Sequence, residues 1–132
     1  MKYMLDTDIC IYLSKERPRH VLNKFKTLRE EDVIISSVAF SELNYGAEKS
    51  QFTEKNLLAL NKFVIFVKVV SYDHLAGSYY GKIRVDLEKR GIPIGAMDLM
   101  IAAHAISLNA TLVTNNMKEF SRVKDLKLEN WV

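Results

Sequence analysis

Short apolar runs alternate with longer amphipathic segments along the chain, and this alternation constrains the fold more than any other feature. The runs are rich in β-branched residues and lack the polar alternation of a half-exposed strand. The predicted strands are residues 2–6, 32–35, 67–70 and 111–114. Buried strands separated by helices are typical of a parallel sheet that is covered on both faces. The sequence therefore predicts an α/β fold, a three-layer α/β/α sandwich around a central parallel sheet.

The boundaries of the predicted helices follow from capping and helix-breaking residues. Thr7 and Asp8 are predicted to cap a short helix, and Ser36 or Ser37 to cap one that ends near Glu48. The predicted helices are residues 9–13, 18–28, 37–48, one that Thr53 caps, 72–90 and 97–108. A short turn at residues 118–120 and an extended end at Trp131-Val132 complete the prediction.

Length and composition restrict the class of protein. The chain has 132 residues, of which 48% are hydrophobic and 27% charged, so we expect one globular domain spanning residues 1–132. Cys10 is the single cysteine and cannot form an internal disulfide. The N-terminus lacks the features of a signal peptide, and no apolar run is long enough to cross a bilayer. We therefore expect a cytoplasmic protein with no membrane partner.

Three carboxylates interrupt apolar sequence at widely separated positions. Asp6 closes the first strand, while Glu42 and Asp98 each stand inside an apolar helical segment. An ionised carboxylate removed from water costs several kcal/mol unless a cation or hydrogen-bond donors compensate it. Acids placed among core residues therefore indicate a bound ion.

The predicted topology brings these three acids together. In open parallel sheets, ligands bind beyond the carboxyl ends of the strands. Asp6 ends the first strand, Glu42 lies early in the helix after the second, and Asp98 lies in the first turn of the helix before the fourth. All-oxygen ligation suits Mg²⁺ or Mn²⁺. The histidines show no paired spacing, so zinc is not expected; they are His20, His74 and His104.

Each acid also has an ordinary structural interpretation when it is taken alone. Asp6 can cap the following helix, Glu42 can pair with a lysine, and Asp98 can stabilise a helix N-terminus. The basic residues of two segments, 15–29 and 118–127, are either solvated helix faces or contacts for a phosphate backbone.

The order and spacing of several motifs resemble the PIN-domain nucleases, and in particular the VapC ribonuclease toxins of bacterial toxin–antitoxin pairs. The resemblance runs the whole length of the chain. The matching segments are Tyr3-Met4-Leu5-Asp6-Thr7-Asp8-Ile9, Ser41-Glu42-Leu43 with Gly46, Ile92-Pro93-Ile94-Gly95 leading to Asp98, Ile101-Ala102-Ala103-His104-Ala105, Leu112-Val113-Thr114-Asn115-Asn116 and Glu119-Phe120.

The resemblance implies roles for the acids. Asp6, Glu42 and Asp98 are similar to the family's acidic triad, which holds Mg²⁺ or Mn²⁺, with Asp6 and Asp98 as the expected direct ligands. The family often has a fourth acid near the end of the fourth strand. Asn116 stands at that position and is included among the catalytic candidates, with Glu119 as a possible substitute for the missing acid.

Polar residues around the triad are also assigned by the resemblance. Thr7, Thr114 and Asn115 match positions that support the acids or the substrate phosphate. Asp8 occupies a position that is commonly Asn in the family, which adds negative charge to the site.

The function implied by the resemblance is that of a toxin that hydrolyses phosphodiester bonds in RNA as a metal-dependent endoribonuclease. The expected partners are a structured RNA, for example a tRNA loop, a cognate antitoxin that inhibits the enzyme, and a second copy of the chain. The apolar segment 63–67 either forms the dimer patch or completes the internal core. The aromatic residues that we considered for base stacking are Tyr45, Tyr72, Phe120 and Trp131.

Two other classes of function remain open at this point. Asp6-Thr7-Asp8 is similar to the opening motif of haloacid dehalogenase-like phosphatases, although the later motifs of those enzymes are missing. A non-catalytic module of the same shape, which grips a basic segment of a partner protein, is the second alternative. Turnover of a small phosphomonoester would favour the first, and a metal titration would separate the second from a nuclease.

Overall fold

Five parallel strands form a single sheet in the computed structural model, which describes residues 1–132. The strand order is β3-β2-β1-β4-β5, and every neighbouring pair is parallel. The strands are β1 (Tyr3–Leu5), β2 (Val33–Ser36), β3 (Lys68–Val70), β4 (Thr111–Val113) and β5 (Lys127–Glu129). The predicted parallel sheet is confirmed. The C-terminal piece, which we predicted only as extended, pairs with β4 and becomes an edge strand.

Seven α-helices connect the strands. They are α1 (Thr7–Lys15), α2 (Arg19–Lys26), α3 (Ser37–Glu48), α4 (Thr53–Phe66), α5 (His74–Lys89), α6 (Ala96–Ser107) and the one-turn α7 (Met117–Phe120). A 3₁₀ turn at Glu30–Asp32, which the sequence did not predict, precedes β2.

Three of the predicted helix starts differ from the structure in their caps, and α2 and α6 each begin one residue away from the predicted start. The cap of α1 is Asp6, not Thr7 or Asp8, because β1 already ends at Leu5 and the Asp6 carboxylate accepts a hydrogen bond from the Thr7 amide at 2.8 Å. Thr53 is the first residue of α4 and no side chain caps that helix. Asp73 caps α5, so this helix begins at His74. The predicted Ser36 cap of α3 is confirmed.

Apolar side chains cover both faces of the sheet. Met4 of β1 packs in one cluster with Leu87 of α5 and Ile101 of α6. The next residue, Leu5, packs in a second cluster with Ile9 of α1. Because successive side chains of a strand point to opposite faces, α5 and α6 cover one face of the sheet and α1 covers the other. The predicted three-layer sandwich is thus confirmed.

The strand order creates a switch point beside β1. The chain adds β2 and β3 on one side of β1 and then places β4 and β5 on the other side. Leu5 lies opposite Val113, and the Asp6 amide donates to the Val113 carbonyl at 2.9 Å. Asp6 and Thr114 therefore leave adjacent strands at the same edge. Ligands of open α/β sheets bind at such reversal points.

The segment that we predicted as a dimer patch is only partly exposed. Ile65 is 72% exposed and Phe66 58%, whereas Val67 is fully buried in the core. The homodimer and the extent of the single domain both stay predictions. None of the helices is long and apolar enough to cross a membrane.

Candidate metal centre at the carboxyl edge of the sheet

Asp6 lies at the centre of the site and is held by both neighbouring strands. Its side chain is buried, at 6% exposure. One carboxylate oxygen accepts from the Thr7 amide at 2.8 Å, and the other accepts from the Thr114 hydroxyl at 2.8 Å. The position of the Asp6 carboxylate is therefore determined by β1, α1 and the end of β4 together.

Burial raises the pKa of Asp6 to about 7, and the negative charges of Asp8 and Asp98 act in the same direction. The hydrogen bonds from Thr114 and Thr7 lower the pKa and offset part of this effect. A buried carboxylate with acidic neighbours gains most from a cation, which removes both the burial penalty and the repulsion.

Asp98, in the first turn of α6, is the second perturbed acid. Its pKa is raised to about 6, mainly by partial burial and to a smaller extent by the negative charges of Glu119, Glu42 and Asp8. The four elements that carry these acids thus direct negative charge toward one region. The sequence predicted that acids from separate elements come together, and in the structure the charges of three other acids act on Asp98.

Glu42 lies on α3, and Thr7 connects it to Asp6 through hydrogen bonds to both carboxylates. The Thr7 hydroxyl donates to the Glu42 carboxylate at 3.2 Å, while the Thr7 amide donates to Asp6. Glu42 takes part in none of the ion pairs of the structure, so the interpretation of Glu42 as a lysine partner does not hold. Thr7 therefore sets the relative position of the two acids.

Asp8 belongs to the site, although the sequence analysis noted only its added charge and gave it no role. One of its carboxylate oxygens accepts from the Asn115 amide at 3.1 Å, and the other is buried with no hydrogen-bond partner. Burial raises the pKa of Asp8. The signal was present in the spacing of Asp6-Thr7-Asp8, which places both acids at the start of α1 beside the same strand end. An unpartnered buried carboxylate oxygen fits a nearby cation.

Asn116 and Glu119 form a unit at the start of α7. The Asn116 side-chain amide donates to one oxygen of Glu119 at 2.8 Å, and the Gly95 amide donates to the other at 3.0 Å. These two bonds lower the pKa of Glu119, which is therefore ionised beside Asp98. The backbone amide of Asn116 donates to the Thr114 hydroxyl at 2.9 Å. Asn116 therefore holds the Glu119 carboxylate near Asp98, and the substitution of Glu119 for the fourth acid stays a prediction.

The acids surround the site without forming a closed cage. No group of three His, Cys, Asp or Glu side chains is arranged at ligating distances. Carboxylates with no cation between them repel one another. An open set of oxygen ligands fits Mg²⁺, which usually binds through one or two carboxylates and keeps several waters. The donor set of this site therefore fits an ion of the Mg²⁺ or Mn²⁺ type.

His104 and most of the proposed stacking residues serve the core. His104 is buried and lies 2.8 Å from the Ser36 hydroxyl, and burial lowers its pKa. Tyr72 packs edge-on against the His104 ring, with centroids 5.6 Å apart. Phe120 and Trp131 are buried in the core, so neither offers a face for base stacking. Tyr45, at 64% exposure, is the candidate that presents an open face.

Replacing Thr114 with valine is expected to lower kcat about 10- to 100-fold if Asp6 binds a catalytic ion. The valine removes the donor to Asp6 and the acceptor for the Asn116 amide, but keeps the shape of the buried side chain. Thr114→Ser keeps the hydroxyl and serves as the matched control, with activity near that of the wild type. Equal losses in both variants would show that packing, and not the hydroxyl, is what matters.

Comparison with known proteins shows matches along the whole chain. The sequence profile of the PIN domain matches residues 3–126. Ribonuclease VapC2 from Rickettsia felis is 45% identical over 132 residues, which covers 99% of this chain and 98% of that protein. The tRNA(fMet)-specific endonuclease VapC from Shigella flexneri is 46% identical over 131 residues, with 99% and 98% covered.

Solved structures agree with this similarity. One chain of the crystal structure of VapBC2 from Rickettsia felis, bound to a DNA fragment from its promoter, superimposes with a TM-score of 0.94 at 42% identity, and the match covers 100% of both chains. A chain of the DNA-bound VapBC structure from Salmonella typhimurium gives a TM-score of 0.94 at 40% identity, covering 100% of this chain and 99% of that one.

Proposed function

The chain belongs to the PIN-domain family and is related to VapC ribonucleases over its whole length, and from this we propose that it is a metal-dependent endoribonuclease that acts as the toxin of a toxin–antitoxin pair. One observation carries the proposal. Burial and mutual repulsion raise the pKa values of Asp6 and Asp98 at the carboxyl edge of the sheet, where the acids stand without any basic partner. Such a site binds a cation and, through it, a phosphate.

Asp6, Asp98 and Glu42 are the proposed ligands of Mg²⁺ or Mn²⁺, with Asp6 and Asp98 binding directly. When bound, the ion polarises the scissile phosphate and lowers the pKa of a coordinated water. Glu119 is proposed as the fourth acid, because it lies close enough to Asp98 for its charge to raise the Asp98 pKa. Asn116 holds Glu119 in place and Thr114 holds Asp6.

Glu42 is proposed to orient the attacking water and to take up its proton, because the bond from Thr7 keeps the Glu42 carboxylate next to Asp6. The water oxygen forms the new bond to phosphorus as the bond to the 3′-oxygen breaks. The products are a 5′-phosphate and a 3′-hydroxyl. Asn115, whose amide holds Asp8, supports the wall of the site from the β4 side.

The substrate class and the partner come from the relatives. The Shigella flexneri protein is named for tRNA(fMet), so we propose a structured RNA, with a tRNA loop as the first candidate. The VapBC structures contain a second protein, and we propose a cognate antitoxin for this chain. The haloacid dehalogenase-like alternative is disfavoured, since the family match covers residues 3–126. A cytoplasmic location stays a prediction.

The purified protein is expected to cleave RNA in Mg²⁺ or Mn²⁺ and to lose this activity completely in excess EDTA, since every proposed active group is a carboxylate and no Ser, His or Cys nucleophile lies in the site. Adding back Mg²⁺ should restore cleavage, which gel analysis of a labelled tRNA measures. A phosphomonoester assay under the same conditions tests the phosphatase alternative. Cleavage that persists in EDTA would contradict the proposal, and metal binding without cleavage would favour the non-catalytic module.

A further inference from the structure

An open groove begins at the acidic site and runs between α1, α3 and α4. Thr7 and Glu42 line its near end, so the groove is continuous with the proposed catalytic centre. Its volume is about 530 Å³. Sites for single small ligands have roughly 300–1,000 Å³, so the groove has room for a nucleotide.

Two lysines border this groove. Lys15 lies in the last turn of α1 and Lys55 in the first turn of α4. Both side chains are exposed, and neither forms an ion pair with an acid of this chain. In the basic segment 15–29, Lys24 pairs with Glu129 and Arg29 pairs with Glu31 and Asp32, so these two cations are occupied. The two groove lysines are therefore available to an external anion.

The floor of the groove is apolar and one wall is open. Leu43 and Phe63 contribute partly buried hydrophobic side chains to the floor. At Gly46, one turn beyond Glu42 on α3, an added Cβ would meet no atom within 4 Å. The position of Gly46 therefore faces open groove and not a closely packed helix. An apolar floor between cations is the combination with which proteins hold single-stranded nucleic acid.

The acidic site beside the groove affects how RNA can bind. The acids at its near end repel the phosphates on either side of the scissile bond, so binding of RNA requires cations outside the acidic centre. We propose that this groove holds the RNA segment that flanks the scissile phosphate, with Lys15 and Lys55 as positioning residues that contact its phosphates. The inference rests on the proposed endoribonuclease function and adds the path of the substrate strand.

The dimensions of α1 agree with this path. Thr7 and Lys15 are eight positions apart in one helix, which is about 12 Å along the helix axis. This length corresponds to about three to four stacked nucleotides at roughly 3.4 Å each. Lys15 thus contacts RNA a few nucleotides from the cut, and a substrate shortened on that side loses the contact.

The test measures cleavage kinetics of the full chain with Mg²⁺ on a long RNA and on the same RNA shortened to the nucleotides around the cut. Lys15→Ala and Lys55→Ala should each raise KM for the long RNA on the order of tenfold at low salt, with kcat unchanged. The slope of log kcat/KM against log salt should become shallower by about 0.7 for each lysine removed. On the shortened RNA, the variants and the wild type should be equal.

Three control variants separate charge from structure. Lys89→Ala, on α5 at the opposite face of the sheet, should leave both substrates unaffected. Lys15→Arg and Lys55→Arg keep the cation and should restore a KM near that of the wild type. At Gly46 an added Cβ meets no atom within 4 Å, so Gly46→Leu places a larger side chain in the groove and should raise KM for the long RNA only.

The outcomes distinguish the two proposals. If the wild type cleaves RNA but the lysine variants match it on the long substrate at every salt concentration, the groove assignment is overturned while the nuclease function stands. If the lysine variants cleave normally but escape the antitoxin, the groove is a protein-docking site and the assignment is again overturned. A wild-type protein that cleaves no RNA overturns both proposals.

Discussion

Replacing Asp98 with asparagine is expected to lower kcat/KM on RNA by at least about 10³-fold while the protein remains folded. Asn removes the negative charge of a proposed direct ligand of the ion, but it keeps the size of the side chain. Cleavage assays over a range of Mg²⁺ concentrations measure the effect, and circular dichroism reports the fold. An Asp98→Asn protein that retains activity would remove Asp98 from the ligand set.

The same variant should be more stable than the wild type in EDTA at neutral pH. In the folded wild type the pKa of Asp98 is about 6, above its ordinary value of 3.8, so the folded state holds this proton more tightly than the unfolded chain does. The stabilisation that this proton gives the wild type is present below about pH 4 and lost as pH rises through about 6. Thermal melts at pH 4 and pH 7 should therefore show the variant's advantage growing with pH.

Asp86→Asn is the matched control for both measurements. Asp86 lies on α5, and its bond with Arg90 lowers its pKa, so its stabilising contribution is present above the unfolded pKa and is lost as pH falls. The Asp86 variant should keep wild-type activity and should not gain stability at neutral pH. If Asp98→Asn instead unfolds or melts below the wild type at pH 7, then Asp98 has a structural role.

Expression of the chain alone is expected to arrest bacterial growth, and co-expression of its cognate antitoxin to restore colony counts by several orders of magnitude. We expect the antitoxin to place a basic side chain, preferably Arg, among Asp6, Glu42 and Asp98. A guanidinium matches paired carboxylates in charge and geometry, so it competes directly with the metal ion. Colony counts after induction of one or both proteins measure the effect.

The catalytic variant and a partner variant provide the controls for this experiment. Asp98→Asn should be harmless without the partner, because toxicity requires cleavage. An antitoxin in which the inserted Arg is replaced by Ala should bind more weakly and restore fewer colonies. A complex that remains fully active, or a partner that contacts only a remote face, would contradict this mode of inhibition.

Local periodicity made much of the fold predictable. Apolar β-branched runs and amphipathic segments are read from neighbouring residues, so the central strands and most helices were placed correctly. The helix starts were predicted less accurately: Asp6 caps α1 where Thr7 and Asp8 had been expected, and Asp73 caps a helix that had been expected to begin at Tyr72. A cap depends on where the preceding segment ends, and a polar residue one or two positions away competes for the same role.

The sequence by itself determined that three carboxylates interrupt apolar segments near the ends of predicted elements, and hence that a cation site was to be expected. Tertiary structure alone decided how the acids are held. Thr114 bonds Asp6 across 108 positions of sequence, and Thr7 bonds Glu42 across 35. These contacts depend on the order of strands in the sheet, which local patterns do not encode.

Contacts between residues far apart in the sequence also account for what the sequence reasoning missed. Asp8 meets the Asn115 amide because β1 and β4 are neighbours, and Glu119 accepts from the Gly95 amide because α6 starts beside α7. The groove with Lys15 and Lys55 exists because α1 and α4 cover the same face of the sheet beside α3. Residue types and spacing determined which chemistry the chain carries. Only packing over long sequence distances decided which side chains meet, because burial and charge act through space and not along the chain.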